Sequence, residues 1–206
     1  MKILNLEQGS DEWFRARLGV ATASNFSKII TSTGSASSTL NDYALTLAAE
    51  TLLETPDEAY KNADMERGND LEPVARQYYE EYNFCEVKEV GFIVSDCGNY
   101  GYSSDGLVGS DGLIEIKCPK AKNHVQYMAD KKCPTQYLAQ IQGGLMVSGR
   151  KWCDFVSFHP DFIGYKKLFV VRVFRDEEFI VKLKRMISKL VLKKNEILNK
   201  INAPCI

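Results

Sequence analysis

Two periods run through the hydrophobic and polar positions of this chain. A period of two, the mark of a strand with one buried face, predicts strands over 86–95, where Val87, Val90, Phe92, Ile93 and Val94 recur, over Trp152 to His159, and over Lys167 to Phe174. Helical spacing predicts helices over 10–17, 26–30, 40–53, 64–83, 122–131 and 135–148, and from Asp176 to about Asn202. Punctuation agrees with these bounds. Ser10 or Asp11 is an N-cap, Gly19 breaks the first helix, and Thr22-Ala23-Ser24-Asn25 caps the second. Thr55-Pro56-Asp57 ends the third, and Thr31 to Thr39 reads as a mobile loop. The helix over 64–83 is expected to be interrupted near Gly68, starting near Asp70 with Pro73 in its first turn. Trp13 and Phe14, and the Tyr78, Tyr79 and Tyr82 cluster, are expected in the core. Interleaved strands and helices without a repeat or linker predict one α/β domain over 1–206, with a mixed central β-sheet flanked by helices.

The pattern is sharpest between Tyr102 and Pro119. Leu107-Val108 and Leu113-Ile114 are short apolar runs, and Gly109-Ser110-Asp111-Gly112 between them is turn chemistry. Two antiparallel strands follow. In the second, Glu115 and Lys117 share one face, while Ile114 and Ile116 point into a core. Folding at the turn brings Asp105 alongside Glu115, so two carboxylates and an ammonium share a patch of sheet. Such a patch suits Mg²⁺, which takes one or two carboxylates and keeps other positions for water and phosphate. A metal there can activate water and polarise a phosphoryl oxygen, with the lysine orienting the water, helping to deprotonate it, or stabilising the transition state. A solvated hairpin carrying a cross-strand charge pair has the same residues. Apolar neighbours Ile114, Ile116 and Cys118, and the stop at Pro119, favour the chemical use.

Net charge of −1 gives no overall basic footprint for nucleic acid, although a groove or an oligomeric channel can be locally positive. The run Met1 to Leu6 is too short for a signal peptide, and no stretch approaches a transmembrane span. Six cysteines without a Cys-x-x-Cys pair predict reduced thiols in a cytoplasmic protein, with no zinc or iron–sulfur site. His124 and His159 read as surface residues or phosphate neighbours without a catalytic role. Lys28, Lys120, Lys122, Lys131 and Lys132 are candidate phosphate contacts, or simply solvated charges. Arg17, followed by a glycine turn and a hydroxyl-rich helix start, could cradle an anion or be plain capping.

Several motifs in order carry a family resemblance. Trp13 with Arg17-Leu18-Gly19-Val20-Ala21-Thr22-Ala23-Ser24, then Gly68 with Leu71-Glu72, then Ser103-Ser104-Asp105-Gly106-Leu107, then Glu115-Ile116-Lys117-Cys118-Pro119, then Tyr137-Leu138-Ala139-Gln140-Ile141-Gln142 resemble the lambda exonuclease family of phage-type alkaline exonucleases. This family has a restriction-endonuclease-like PD-(D/E)XK core. The likeness runs from Trp13 to about Asp161, and Ser104 stands where the family often has proline. The resemblance implies a Mg²⁺-dependent 5′-to-3′ exonuclease on linear double-stranded DNA that releases mononucleotides and leaves a 3′ single strand. It implies two metal ions, with Mn²⁺ as a substitute, on Asp105, Glu115, Glu72 and the Ile116 carbonyl. Lys117 and Gln140 would place the attacking water. Arg17, Ser24 and Ser103 would bind the 5′-phosphate or a phosphate oxygen. A homotrimer around DNA and a single-strand annealing protein as partner are also implied. The rival readings are a PD-(D/E)XK endonuclease and a non-catalytic DNA-end-binding protein.

Overall fold

The computed structural model describes residues 1–53 and 63–203. In chain order the elements are β1 (Lys2–Leu4), α1 (Asp11–Arg17), β2 (Ala21–Thr22), α2 (Leu40–Leu53), α3 (Ala63–Asn83), β3 (Val87–Lys88), β4 (Phe92–Val94), β5 (Tyr100–Tyr102), β6 (Gly106–Val108), β7 (Gly112–Lys117), α4 (Ala121–Asp130), α5 (Leu138–Ser148), β8 (Trp152–Phe158), β9 (Leu168–Phe174) and α6 (Glu177–Asn202). Short 3-10 turns occupy Ala23–Lys28, Thr135–Tyr137 and Gly164–Lys167.

The expected mixed sheet flanked by helices forms, with the order β3-β6-β7-β8-β9. A second, smaller sheet, β1-β4-β5-β2, accompanies it. The run expected as one strand over 86–95 is therefore split, β3 going to one sheet and β4 to the other. The crossing passes Gly91, where an added Cβ would stand 2.1 Å from the Leu6 carbonyl oxygen. Only glycine allows the two backbones to approach so closely.

Strand β7 is central. It runs antiparallel to β6 and parallel to β8, and the parallel pairing needs the crossover made by α4 and α5. Both its faces are covered. Ile114 and Ile116 pack with Ala75 and Tyr79 of α3, while Leu113 joins Ile141 and Leu145 of α5 in the larger core. Helix α6 lies against α2, burying Phe179, Leu183, Ile187 and Leu190 from its predicted stripe and leaving Ile201 exposed. Gly144 lets α5 close on the smaller sheet, since a Cβ there would lie 2.7 Å from the Tyr102 ring.

Local expectations fare differently. Ser10 and Asp176 are the N-caps of α1 and α6, accepting from the Trp13 and Phe179 amides. Helix α3 runs without a break through Gly68, with Pro73 in its interior. The bond that Pro73 forgoes belongs to the Asn69 carbonyl, on an exposed residue where water can replace it. Of the three tyrosines only Tyr79 is buried, because Tyr82 and Tyr78 fall on the outer side of the helix. Trp13 and Phe14 are half-buried. The 31–39 segment is held by a bridge between Ile30 and Ala36 and by Thr31 bonded to Ser35. Both histidines are buried, contrary to the surface expectation: His124 bonds Ser157 and the Lys166 carbonyl. The Thr55-Pro56-Asp57 stop and Cys205 lie outside the described residues. The other five cysteines are free thiols.

Candidate active site

The hairpin register fixes the centre. Gly106 pairs with Ile114, so the preceding Asp105 lies across from Glu115. The Asp105 carboxylate accepts from the Ile116 amide at 2.7 Å, so it also closes the hairpin. Glu115 is fully buried and saturated with donors. Lys117 Nζ at 2.6 Å and Gln140 Nε2 at 2.5 Å reach its Oε1, and the Tyr102 hydroxyl donates to its Oε2 at 3.0 Å. Gln140 arrives from the first turn of α5, on the far side of the crossover from β7. Glu72 enters from α3, its Oε1 held by Arg76 at 2.7 Å. The Arg76 guanidinium also donates to the Asp105 carbonyl and pairs with Glu89. Glu72, Asp105, Ile116 and Lys117 line one cleft of about 480 Å³, together with Arg67 and Tyr137. Arg67 donates to the Cys118 carbonyl.

Charge is tightly set here. Burial, then the Glu115 charge, push Asp105 well above the usual carboxylate range, against the pull of Lys117. Burial also raises Glu72, opposed by Arg76 and Lys117 and aided by Glu115. Burial alone would press Lys117 toward neutrality, but Glu115 and Asp105 outweigh it and the net direction is upward. In this arrangement Lys117 is a donor and counter-charge to Glu115.

The donor set suits a hard divalent cation. Asp105 and Glu72, both raised by burial, line one cleft, and a cation held there would supply the missing counter-charge. Among the described residues no three acidic, histidine or cysteine side chains already stand at coordinating separation. Glu115 Oε1 is instead occupied by Lys117 and Gln140.

A second cluster lies beyond β6. Arg17 Nη1 donates to Ser103 Oγ at 2.6 Å, and Trp13 Nε1 reaches the same oxygen at 3.1 Å. The guanidinium carbon sits 3.9 Å from the Trp13 ring centre. Burial lowers the Arg17 pKa to about 10, which leaves it charged at neutral pH. Ser24 is exposed and bonds Thr22 Oγ1 and so stands apart from the Arg17–Ser103 pair. Strands β2 and β5 are parallel, with Thr22 opposite Gly101, so Ser24 and Ser103 leave the smaller sheet at the same edge. Lys120 lines the cleft mouth, whereas Lys131 and Lys132 follow the far end of α4.

Sequence reasoning missed four supporting residues. Tyr102 was legible only as the residue leading into the hairpin. Arg76 stands four after Glu72 and Trp13 four before Arg17, the helical spacing at which side chains meet. Arg67 gave no signal, because its partner is a backbone carbonyl.

Residues 12–151 match the YqaJ-like viral recombinase domain. Among solved structures, the alkaline exonuclease LHK-Exo from Laribacter hongkongensis is 33% identical, with a TM-score of 0.86 over 93% of this chain and 96% of that one. LHK-Exo in complex with dAMP is 34% identical, with a TM-score of 0.85 over the same shares. A phage-related exonuclease from Haemophilus somnus 129PT, 17% identical, has a TM-score of 0.74 over 89% of this chain and 96% of that one, a likeness of fold. No curated protein matches the sequence significantly.

Proposed function

Because the chain belongs to the YqaJ-like viral recombinase domain family and shares the architecture of an alkaline exonuclease, we propose that it is a recombination exonuclease. In detail, it is a Mg²⁺-dependent enzyme that degrades one strand of linear double-stranded DNA from 5′ to 3′. It releases mononucleotides and leaves a 3′ single strand for annealing. The observation that carries this reading is the Asp105, Glu115, Lys117 and Gln140 cluster, whose Asp105 and Lys117 line a cleft together with Glu72.

Asp105, Glu115, Glu72 and the Ile116 carbonyl would hold one or two Mg²⁺ ions, or Mn²⁺ in their place. The bound metal supplies Lewis-acid polarisation of the phosphate and an acidified water. Lys117, paired with Glu115, would donate hydrogen bonds to the oxygens that gain charge as the P–O bond breaks. Gln140 gives its amide N–H to Glu115, so its side-chain carbonyl is the atom suited to accept from the attacking water. Arg17 and Ser103, with Ser24 at the neighbouring strand edge, would seat the 5′-terminal phosphate. The resemblance further supports a homotrimer with a locally positive channel, a single-strand annealing protein as partner, and action in the cytoplasm. No described helix is long and apolar enough to cross a membrane.

The test uses a linear duplex labelled separately at the two ends of one strand, carrying a 5′-phosphate or a 5′-hydroxyl, beside a closed circle. Stepwise release of the 5′ label as mononucleotide, faster with the phosphate and lost in Lys117→Ala, is expected. Cutting of the circle would make the protein an endonuclease. End binding without turnover would make it a binding protein.

A further inference from the structure

The loop joining β8 to β9 takes no part in the site described above. Its position is set by the sheet. Ser157 pairs in register with Lys117, and β7 and β8 run parallel, so the chain leaves β8 at the sheet edge where the catalytic lysine stands. The loop base is firmly built. The His159 amide bonds the Lys167 carbonyl at 3.0 Å, closing the loop. His124 of α4 spans from Ser157 to the Lys166 carbonyl at 2.7 and 2.8 Å. Phe162 packs 5.1 Å from the His124 ring and 5.2 Å from the His159 ring. The residue before His124, Asn123, and Tyr127 one turn later both line the catalytic cleft. The loop is thus pinned to a helix that forms a wall of the active site.

Its tip is of opposite character. Ile163 is 88% and Tyr165 81% exposed, two large apolar side chains in solvent on a rigid support. Lys166 is exposed beside them and Lys167 follows, with Asp161 as the acidic residue of the loop; Lys122 is exposed near the start of α4. An aromatic and an aliphatic tip flanked by lysines is the chemistry of a surface that meets unpaired bases and phosphates. An order across the sheet edge gives direction. Ser103 and Asp105 adjoin β6, Glu115 and Lys117 lie on β7, and the loop leaves β8. The Arg17–Ser103 cluster and the base of the loop therefore lie toward opposite sides of Lys117, β6 and β8 being two strand spacings, about 10 Å, apart. With the 5′ terminus at Arg17 and Ser103, the remaining DNA departs over β8.

We propose that the 160–167 loop is a fork-contact surface for DNA. Tyr165 and Ile163 stack on the bases exposed at the duplex end, and Lys166 and Lys122 meet the adjoining phosphates. This rests on the exonuclease reading for the placement of the 5′ terminus.

The test measures binding of a fluorescent blunt-ended duplex with a 5′-phosphate in Ca²⁺, which reads binding without requiring turnover. The double variant Ile163→Ser/Tyr165→Ser is compared with wild type and with Leu192→Ser, an exposed apolar residue on α6. The double variant should bind the open end about 5- to 100-fold more weakly, as expected for lost stacking. Tyr165→Trp should retain binding, and Leu192→Ser should match wild type. A duplex closed at both ends by hairpin loops should lose much less. Equal binding by wild type and the double variant would overturn the proposal, as would equal losses on open and closed duplexes. A changed molecular mass of the double variant in sedimentation would assign the surface to a contact between copies and overturn it too. Failure of the wild type to cut linear duplex in Mg²⁺ sinks the exonuclease reading alone, because the loop is judged by binding.

Discussion

The candidate catalytic centre and the Arg17 cluster both sit at strand ends, yet they are held in different ways. The centre is a product of register: a hairpin offset places Asp105 against Glu115, and a strand parity places Lys117 beside it. Its key carboxylate is buried and touched by three donors. The Arg17 cluster joins an arginine and an indole from one short helix, α1, to a loop serine from a distant part of the chain. Its central atom, Ser103 Oγ, is half-exposed and its donors are charged or aromatic. The difference separates two kinds of failure. Under the proposed function, damage to the centre is expected to stop chemistry, and damage to the cluster to change which DNA end is preferred.

That contrast is open to attack in several places. The largest effect is expected from Lys117→Ala, which removes a charged donor from the transition state and leaves Glu115 buried without its cation. Turnover should fall by about 10²- to 10³-fold or more in single-turnover assays. A smaller loss would move the decisive charge elsewhere. Arg17→Ala should cost about 10- to 100-fold in rate on 5′-phosphate ends, the size of a lost charge-assisted pair, with little change on 5′-hydroxyl ends. Equal losses on the two ends would merge the two regions into one.

Tyr102→Phe sharpens the comparison from the stability side. It removes a donor from a buried carboxylate, which should destabilise the fold by about 1–3 kcal/mol in urea unfolding. The shift should exceed that of Ser24→Ala, whose hydroxyl is exposed. Mg²⁺ should raise the thermal midpoint of the wild type, since ligand binding to the folded state stabilises it. The rise should disappear in Asp105→Asn. The smallest effect concerns pH. Burial lowers the His124 pKa from its usual 6.5. The unfolded chain then takes up a proton near that pH while the folded one resists, so stability present above about pH 6.5 is lost as pH falls toward the folded value. A series of thermal melts from pH 7.5 to 5.5 should have a shallower slope in His124→Asn than in wild type.

Much of the centre was legible because strands have a rigid period. Strand parity alone puts Glu115 and Lys117 on one face, but the pairing of Asp105 with Glu115 depends on a turn one residue shorter than the Gly109 to Gly112 run suggests, with Gly112 already in β7 opposite Val108. The mixed sheet with flanking helices followed from the alternation of periods for the same reason. What escaped depends on pairings that no local pattern encodes. The division of 86–95 between two sheets turns on Gly91 meeting Leu6, a contact between remote backbones. Pro73 inside α3 is tolerated because tertiary packing of Ala75 and Tyr79 outweighs a local breaker. His124 looked like a surface residue because its partners, Ser157 and the Lys166 carbonyl, lie more than thirty residues onward.

The saturation of Glu115 by donors from β5, β7 and α5 also has a meaning in time. As the chain leaves the ribosome, the hairpin that carries Asp105, Glu115 and Lys117 is complete well before Gln140 and β8 exist. Until the crossover has been made and β8 has slotted in beside β7, the buried carboxylate has neither its amide partner nor its cover. Assembly of the centre thus waits on a non-local closure, the slow kind of step in folding. Until then a nascent chain carries Asp105, Glu115 and Lys117 without an assembled site.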